Sequence, residues 1–226
     1  SSAAVAADDD AADDDDNDGD RHTTPRLRGT ARRLGASVVL ADCQLSATAS
    51  GSLTLPAHNP RLPTGEAPAA FSLAFRVRQL AAGGFSVSYG DVRPGAFGED
   101  GVGVGLRVSF RVGVRGEAPP DAASDAASDS TAAADETIAV VLRGRVVYEE
   151  LLGRRLIRDQ PPSHATIRVS YEASRGLEVS VRGVPVVWAL ALPEWAPQPD
   201  WGFGIGARCA TADEATAIRD IQLQTG

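Results

Sequence analysis

In Gly105-Leu-Arg-Val-Ser-Phe-Arg-Val-Gly-Val-Arg115, apolar and polar side chains take turns. Leu106, Val108, Phe110, Val112 and Val114 alternate with Arg107, Ser109, Arg111, Gly113 and Arg115. A period of two puts the apolar set on one face and the polar set on the other, as a β-strand does and a helix does not. The same alternation runs through Phe71 to Arg78, Phe85 to Tyr89, Ile167 to Glu172 and Leu177 to Arg182. Strands with one wet face belong to antiparallel sheets. Gly83-Gly84, Pro94-Gly95, Gly144, Pro161-Pro162 and Arg182-Gly183 punctuate them as turns. No amphipathic helix of useful length is visible, and strands do not alternate with helices, so an α/β fold is disfavoured. The reading is all-β: a two-sheet antiparallel β-sandwich, or jelly roll, of about eleven or twelve strands.

The chain has 226 residues and a formal net charge of −8. All 22 basic residues are Arg. Residues 1–20 hold nine Asp and no base, and the stretch 116–137 holds six acids and no Arg. A mildly basic body therefore carries two acidic tracts. The expected organisation is an acidic low-complexity linker with an Arg-rich lead-in over 1–34, then a sandwich over 35–226 with a flexible acidic insertion at about 116–137. The run Asp14 to Asp20 imitates the start of a calcium loop. The twelfth position, which needs a bidentate carboxylate, is Pro25. No apolar run is long enough for a membrane-spanning helix, so no membrane insertion is expected. With no Met, the expectation is a processed chain or a piece of a longer polypeptide.

The strand motifs carry a resemblance. Phe71-Ser-Leu-Ala-Phe75, Gly84-Phe-Ser-Val-Ser-Tyr-Gly90 and Gly105-Leu-Arg-Val-Ser-Phe110 resemble the concanavalin A-like lectin/glucanase jelly roll, a group that includes laminin G-like domains. Gly176-Leu-Glu-Val-Ser-Val-Arg-Gly183, Trp201 to Ala207 and Ala217 to Leu223 resemble the closing strands of that group. The resemblance spans roughly residues 35–226 and implies fold more than function. Legume-type members hold metal ions with a Glu and an Asp flanking a Phe. Here the matching positions are Ser109 and Arg111. An Arg has only donors and cannot ligate a cation. Calcium is thus not supported at the family's usual positions, and no cofactor is expected. The glucanase spacing of carboxylates on one strand is also missing, so the resemblance implies a module that is not an enzyme. A G-x-S-x-G elbow and metal-ligand spacing among His22, His58 and His164 are absent too.

Two features offer binding chemistry. The outward Arg76, Arg78, Arg107, Arg111, Arg115 and Arg168 can pair sulfate or carboxylate, although a solvated polar face explains them more simply. Trp195, in Pro193-Glu-Trp-Ala-Pro197, is either a stacking ring or a lid over the sandwich end. Trp188 and Trp201 read as core. The chain ends run close together in this jelly roll, which permits a Cys43–Cys209 disulfide, with two buried free thiols as the alternative. The expected function is non-catalytic recognition of glycan, acidic glycan included, at a cell surface or extracellular structure. The competing reading is docking onto neighbouring protein chains, with a divergent glycoside hydrolase third. Nothing in the sequence resembles a nucleic-acid reader.

Overall fold

The computed structural model describes residues 25–44, 46, 48–55, 67–79, 83–92, 104–112, 136–152, 164–193, 195–199, 201–209 and 215–226. Fourteen strands run through them. In chain order they are β1 (Arg26–Gly29), β2 (Arg32–Leu34), β3 (Ser37–Asp42), β4 (Ser50–Leu55), β5 (Ala70–Gln79), β6 (Gly83–Asp91) and β7 (Val104–Val112). Then follow β8 (Glu136–Leu142), β9 (Arg145–Leu151), β10 (Ala165–Glu172), β11 (Gly176–Val181), β12 (Val184–Leu190), β13 (Gly202–Cys209) and β14 (Ala215–Thr225). They form two seven-stranded antiparallel sheets. Sheet I has the order β1-β4-β13-β6-β7-β8-β9, and sheet II the order β12-β11-β10-β5-β14-β3-β2. The described residues contain no helix, hence none long and apolar enough to cross a membrane.

The alternating rows explain the packing. Phe71, Leu73, Phe75 and Val77 of β5 turn inward from sheet II and are buried. Phe85, Val87 and Tyr89 of β6, with Leu106, Val108 and Phe110 of β7, meet them from sheet I. The rings interlock: Phe85 stacks on Phe110 with centroids 4.6 Å apart, and Phe71 meets Phe203 edge-on at 5.0 Å. Two tight hairpins fix register. Arg143-Gly144 joins β8 to β9 and Arg182-Gly183 joins β11 to β12, with φ of 49, 80, 53 and 80°. Positive φ at both central residues is what a two-residue type I′ turn requires.

A disulfide joins Cys43, just after β3, to Cys209, the last residue of β13, with Cα atoms 5.5 Å apart. It ties sheet II to sheet I. The two outermost strands on the far flank meet where the Tyr148 hydroxyl donates to the Val186 carbonyl at 3.3 Å.

Several sequence expectations need correction. The described strands begin at Arg26, inside the linker and Arg-rich lead-in expected over 1–34, so the sheets start before residue 35. β1 pairs with β4 through Arg26–Thr54 to Gly29–Gly51, and β2 pairs with β3. These three- and four-residue edge strands are too short to show alternation, which also accounts for part of the excess over eleven or twelve strands. Glu136 and Thr137, placed in the acidic insertion, open β8, and the Glu136 side chain is buried. Residues 116–135 and 1–20 lie outside the described residues. Trp188, read as core, is 71% exposed. Its neighbour Val187 turns inward, so alternation sends Trp188 to solvent, a reversal hidden in the unbroken apolar run Val186-Val187-Trp188.

Candidate functional site

The six arginines do not share a face. Arg107 and Arg111 lie on β7 between inward residues, so they project from the outer face of sheet I. Arg76 and Arg78 on β5 and Arg168 on β10 project from the outer face of sheet II. The sandwich core separates the two groups. Arg115 lies outside the described residues.

On sheet I, register lines the outward residues into rows. One row reads Ser52, Gly206, Ser86, Ser109 and Ala139 across β4, β13, β6, β7 and β8. The next reads Thr54, Gly204, Ser88, Arg107 and Val141. A third reads Ser50, Arg208, Gly84, Arg111 and Thr137. Ser52, Ser86 and Ser109 are fully buried although they point away from the core. All three are engaged in further contacts, as are Arg107, Arg111 and Arg208. Ser88 differs. It is 5% exposed, and its Oγ has no hydrogen-bond partner among the described residues. A buried hydroxyl without a partner costs roughly 1–3 kcal/mol, so an orphan beside a guanidinium points to a missing acceptor or donor. Arg208 joins this face because β13 sets it one strand from Gly84, a neighbourhood that sequence distance conceals.

Ser109 and Arg111 flank the buried Phe110 on β7, and both point outward. Among the described residues no group of three or more His, Cys, Asp or Glu could hold an ion.

On sheet II the basic group is larger than the sequence suggested. Arg219 pairs in register with Arg76, and Asp220 lies 3.4 Å from Arg76 and 3.7 Å from Arg219. His164 sits beside them. Burial holds its pKa below the usual imidazole value, and Arg219, Arg78 and Arg76 add to that effect while Asp220 opposes it.

Trp195 is a lid. It is 4% exposed and packs edge-on against Tyr171, with centroids 4.6 Å apart. Tyr89 and Trp201 complete the cluster. Its ring therefore has no free face for a ligand, which corrects its placement among the binding residues. The proline-bounded loop folds it back over the open end of the core, where Tyr89 donates to the Gln198 carbonyl at 3.4 Å.

This architecture is the concanavalin A-like lectin fold. No protein-family model matches the sequence, and no curated protein sequence matches it either. Solved structures do. The carbohydrate recognition domain of Emp47p superposes with a TM-score of 0.59 at 16% identity, covering 92% of each chain. Metal-free lectin I-B4 from Griffonia simplicifolia gives 0.61 at 14% identity, covering 92% of this chain and 95% of its own. The exoplasmic/lumenal domain of VIP36, solved with Ca2+ and Man3GlcNAc, gives 0.55 at 12% identity, covering 88% and 84%.

Proposed function

We propose that this chain is a non-catalytic glycan-recognition module that binds acidic glycans on the outer face of sheet I without a metal ion. The observation that carries the reading is the orphan Ser88 hydroxyl in register with Arg107, two rows from Arg111 and Arg208 on the same face. Sulfate and carboxylate are the natural partners of a guanidinium, and a sugar hydroxyl is a natural partner of Ser88. The similarity to a domain solved with Man3GlcNAc supports the ligand class. The substitution of Ser109 and Arg111 for carboxylates supports independence from calcium. The Cys43–Cys209 disulfide supports an oxidising setting, hence a cell surface or extracellular structure.

The test is binding of heparin-derived and uronic-acid oligosaccharides to the whole chain, with and without calcium, across salt. The expected result is saturable binding that weakens as salt rises, is indifferent to calcium, and falls about tenfold or more in Arg107→Ser/Arg111→Ser. A blank from folded protein overturns it.

A second reading has its own observation. Val146, Val147 and Leu151 on β9 are all exposed along the free edge of sheet I. An apolar edge strand is a template for pairing with another chain. Docking onto a neighbouring protein predicts that Val146→Lys/Leu151→Lys abolishes association seen by light scattering, with glycan binding unaffected.

A further inference from the structure

The outer face of sheet II carries a feature independent of the arginines. Glu178, Ser170, Ser72 and Gln224 lie side by side across β11, β10, β5 and β14. Each alternates with buried or half-buried neighbours, so each points outward. None of the four has a side-chain hydrogen-bond partner among the described residues. They line a groove of about 390 Å³, together with Arg175 and Glu172. Glu172 is already engaged, accepting from the Ser174 hydroxyl at 2.6 Å and lying 3.7 Å from Arg175.

Trp188 stands at the end of this row. Leu177 pairs with Leu190 and Val179 with Val187, so Trp188 and Ala189 together oppose the single residue Glu178. That is a β-bulge, and it has visible supports. Ala189 has φ 49°, and the backbone of Leu190 comes so near Gly176 that a Cβ there would lie 2.5 Å from the Leu190 oxygen. Gly176 itself has φ 85°, a left-handed value that suits glycine. The bulge thus sets the most exposed aromatic ring among the described residues beside Glu178, at one end of the row of four polar side chains.

We infer that this row is a second binding site, for a neutral oligosaccharide, with Trp188 as the stacking platform. A pyranose presents an apolar C–H face to an aromatic ring and hydroxyls around its rim, and the row supplies both kinds of partner. Five strands at about 4.8 Å spacing make the row roughly 19 Å long, which suits several sugar rings in line. Two carboxylates against one guanidinium disfavour an anionic ligand here, in contrast to the face around Arg107. A protein partner would need a contiguous apolar centre, and the residues beside Trp188 in this row are polar.

The experiment titrates the intact chain with cellohexaose, maltohexaose, mannohexaose and chitohexaose, followed by calorimetry and tryptophan fluorescence. At least one is expected to bind, shift the exposed-Trp emission to the blue, and show no dependence on salt. Trp188→Ala, at a solvent-exposed position, is expected to weaken that binding about tenfold or more. Ser72→Arg, which fills the groove and leaves the ring in place, is expected to do the same. Arg107→Ser/Arg111→Ser is expected to leave it unchanged, so failure here and failure of the acidic-glycan reading are told apart. A blank with all four sugars overturns the inference. So does binding that survives Trp188→Ala, or a Trp188 that is covered only by a protein partner.

Discussion

On sheet I the outward row Ser52, Gly206, Ser86, Ser109 and Ala139 is buried, while on sheet II the outward Arg76, Arg78, Thr166, Arg168 and Gln224 stand in solvent. Both sheets show the same period-two pattern, and both bury the same kind of inward row. The two rows also differ in side-chain size. Serine, glycine and alanine on β4, β6, β7, β8 and β13 leave room for close approach, and their polar atoms must then be matched. Long and charged residues such as Arg76, Arg78 and Arg168 stand in solvent on the face of sheet II, between half-buried Ser72, Ala74 and Ser170. One sandwich therefore offers a tight, selectively polar surface on one side and a broad hydrated one on the other.

The largest effect comes from placing the same charge on both faces. Ser86→Glu buries a carboxylate in the closed row and is expected to cost about 3–5 kcal/mol in denaturant unfolding. Thr166→Glu, exposed on β10, is expected to stay within about 0.5 kcal/mol. Equal costs would show that the two faces do not differ in burial.

The inward faces sharpen the contrast next. The chain has no Lys, and both Cys are bonded, so among side chains its titration between pH 9 and about 12 belongs to tyrosine. Burial pushes the Tyr89 hydroxyl on sheet I from 10.0 to about 12, and it raises Tyr171 on sheet II as well. The neutral phenol is the form the fold prefers. Stability is then fully present below pH 10 and is lost as pH rises toward 12. For Tyr89 a shift of about two units corresponds to about 2–3 kcal/mol. Ultraviolet titration of the phenolate in wild type and Tyr89→Phe checks this. An unfolding midpoint that does not move between pH 10 and 12 would refute it.

A finer cut lies within sheet I. Ser86 is engaged and Ser88 is not, though both are buried on β6. Ser86→Ala is expected to lose about 1 kcal/mol. Ser88→Ala removes an orphan and is expected to be neutral or mildly stabilising in the free protein, while weakening glycan binding. A matching loss at Ser88 would mean its hydroxyl already has a partner, and the binding face would lose its main support.

How far these features were legible follows from their range along the chain. The inward rows of β5, β6, β7, β10 and β11 were readable because alternation is local, and the hairpins at Gly144 and Arg182-Gly183 because turn chemistry is local too. The division of the arginines was not readable. Period two says that Arg76 and Arg107 both point outward, but not from which sheet. Trp195 was undecidable because a loop aromatic can fold in or out without changing any pattern. Trp188 was misread because an apolar run masks which member faces the core. Arg208 and Arg219 gained neighbours only through strand pairing.

His164 probes the open face of sheet II most delicately. Its pKa is lowered by burial first and then by Arg219, Arg78 and Arg76, with Asp220 pulling the other way. A His whose folded pKa lies below its unfolded 6.5 is disfavoured as a cation by the fold. Its contribution is complete above about pH 6.5 and is lost as pH falls toward the depressed folded value. His164→Gln should remove that part of the acid slope, leaving the slope from the carboxylates. Added salt should screen the arginines and raise the His164 pKa toward its unfolded value, since the cluster is largely exposed. Histidine NMR titration at two ionic strengths measures this directly. A pKa indifferent to salt would mean that burial alone sets it, and that the arginines of sheet II are too well hydrated to act together as a basic surface.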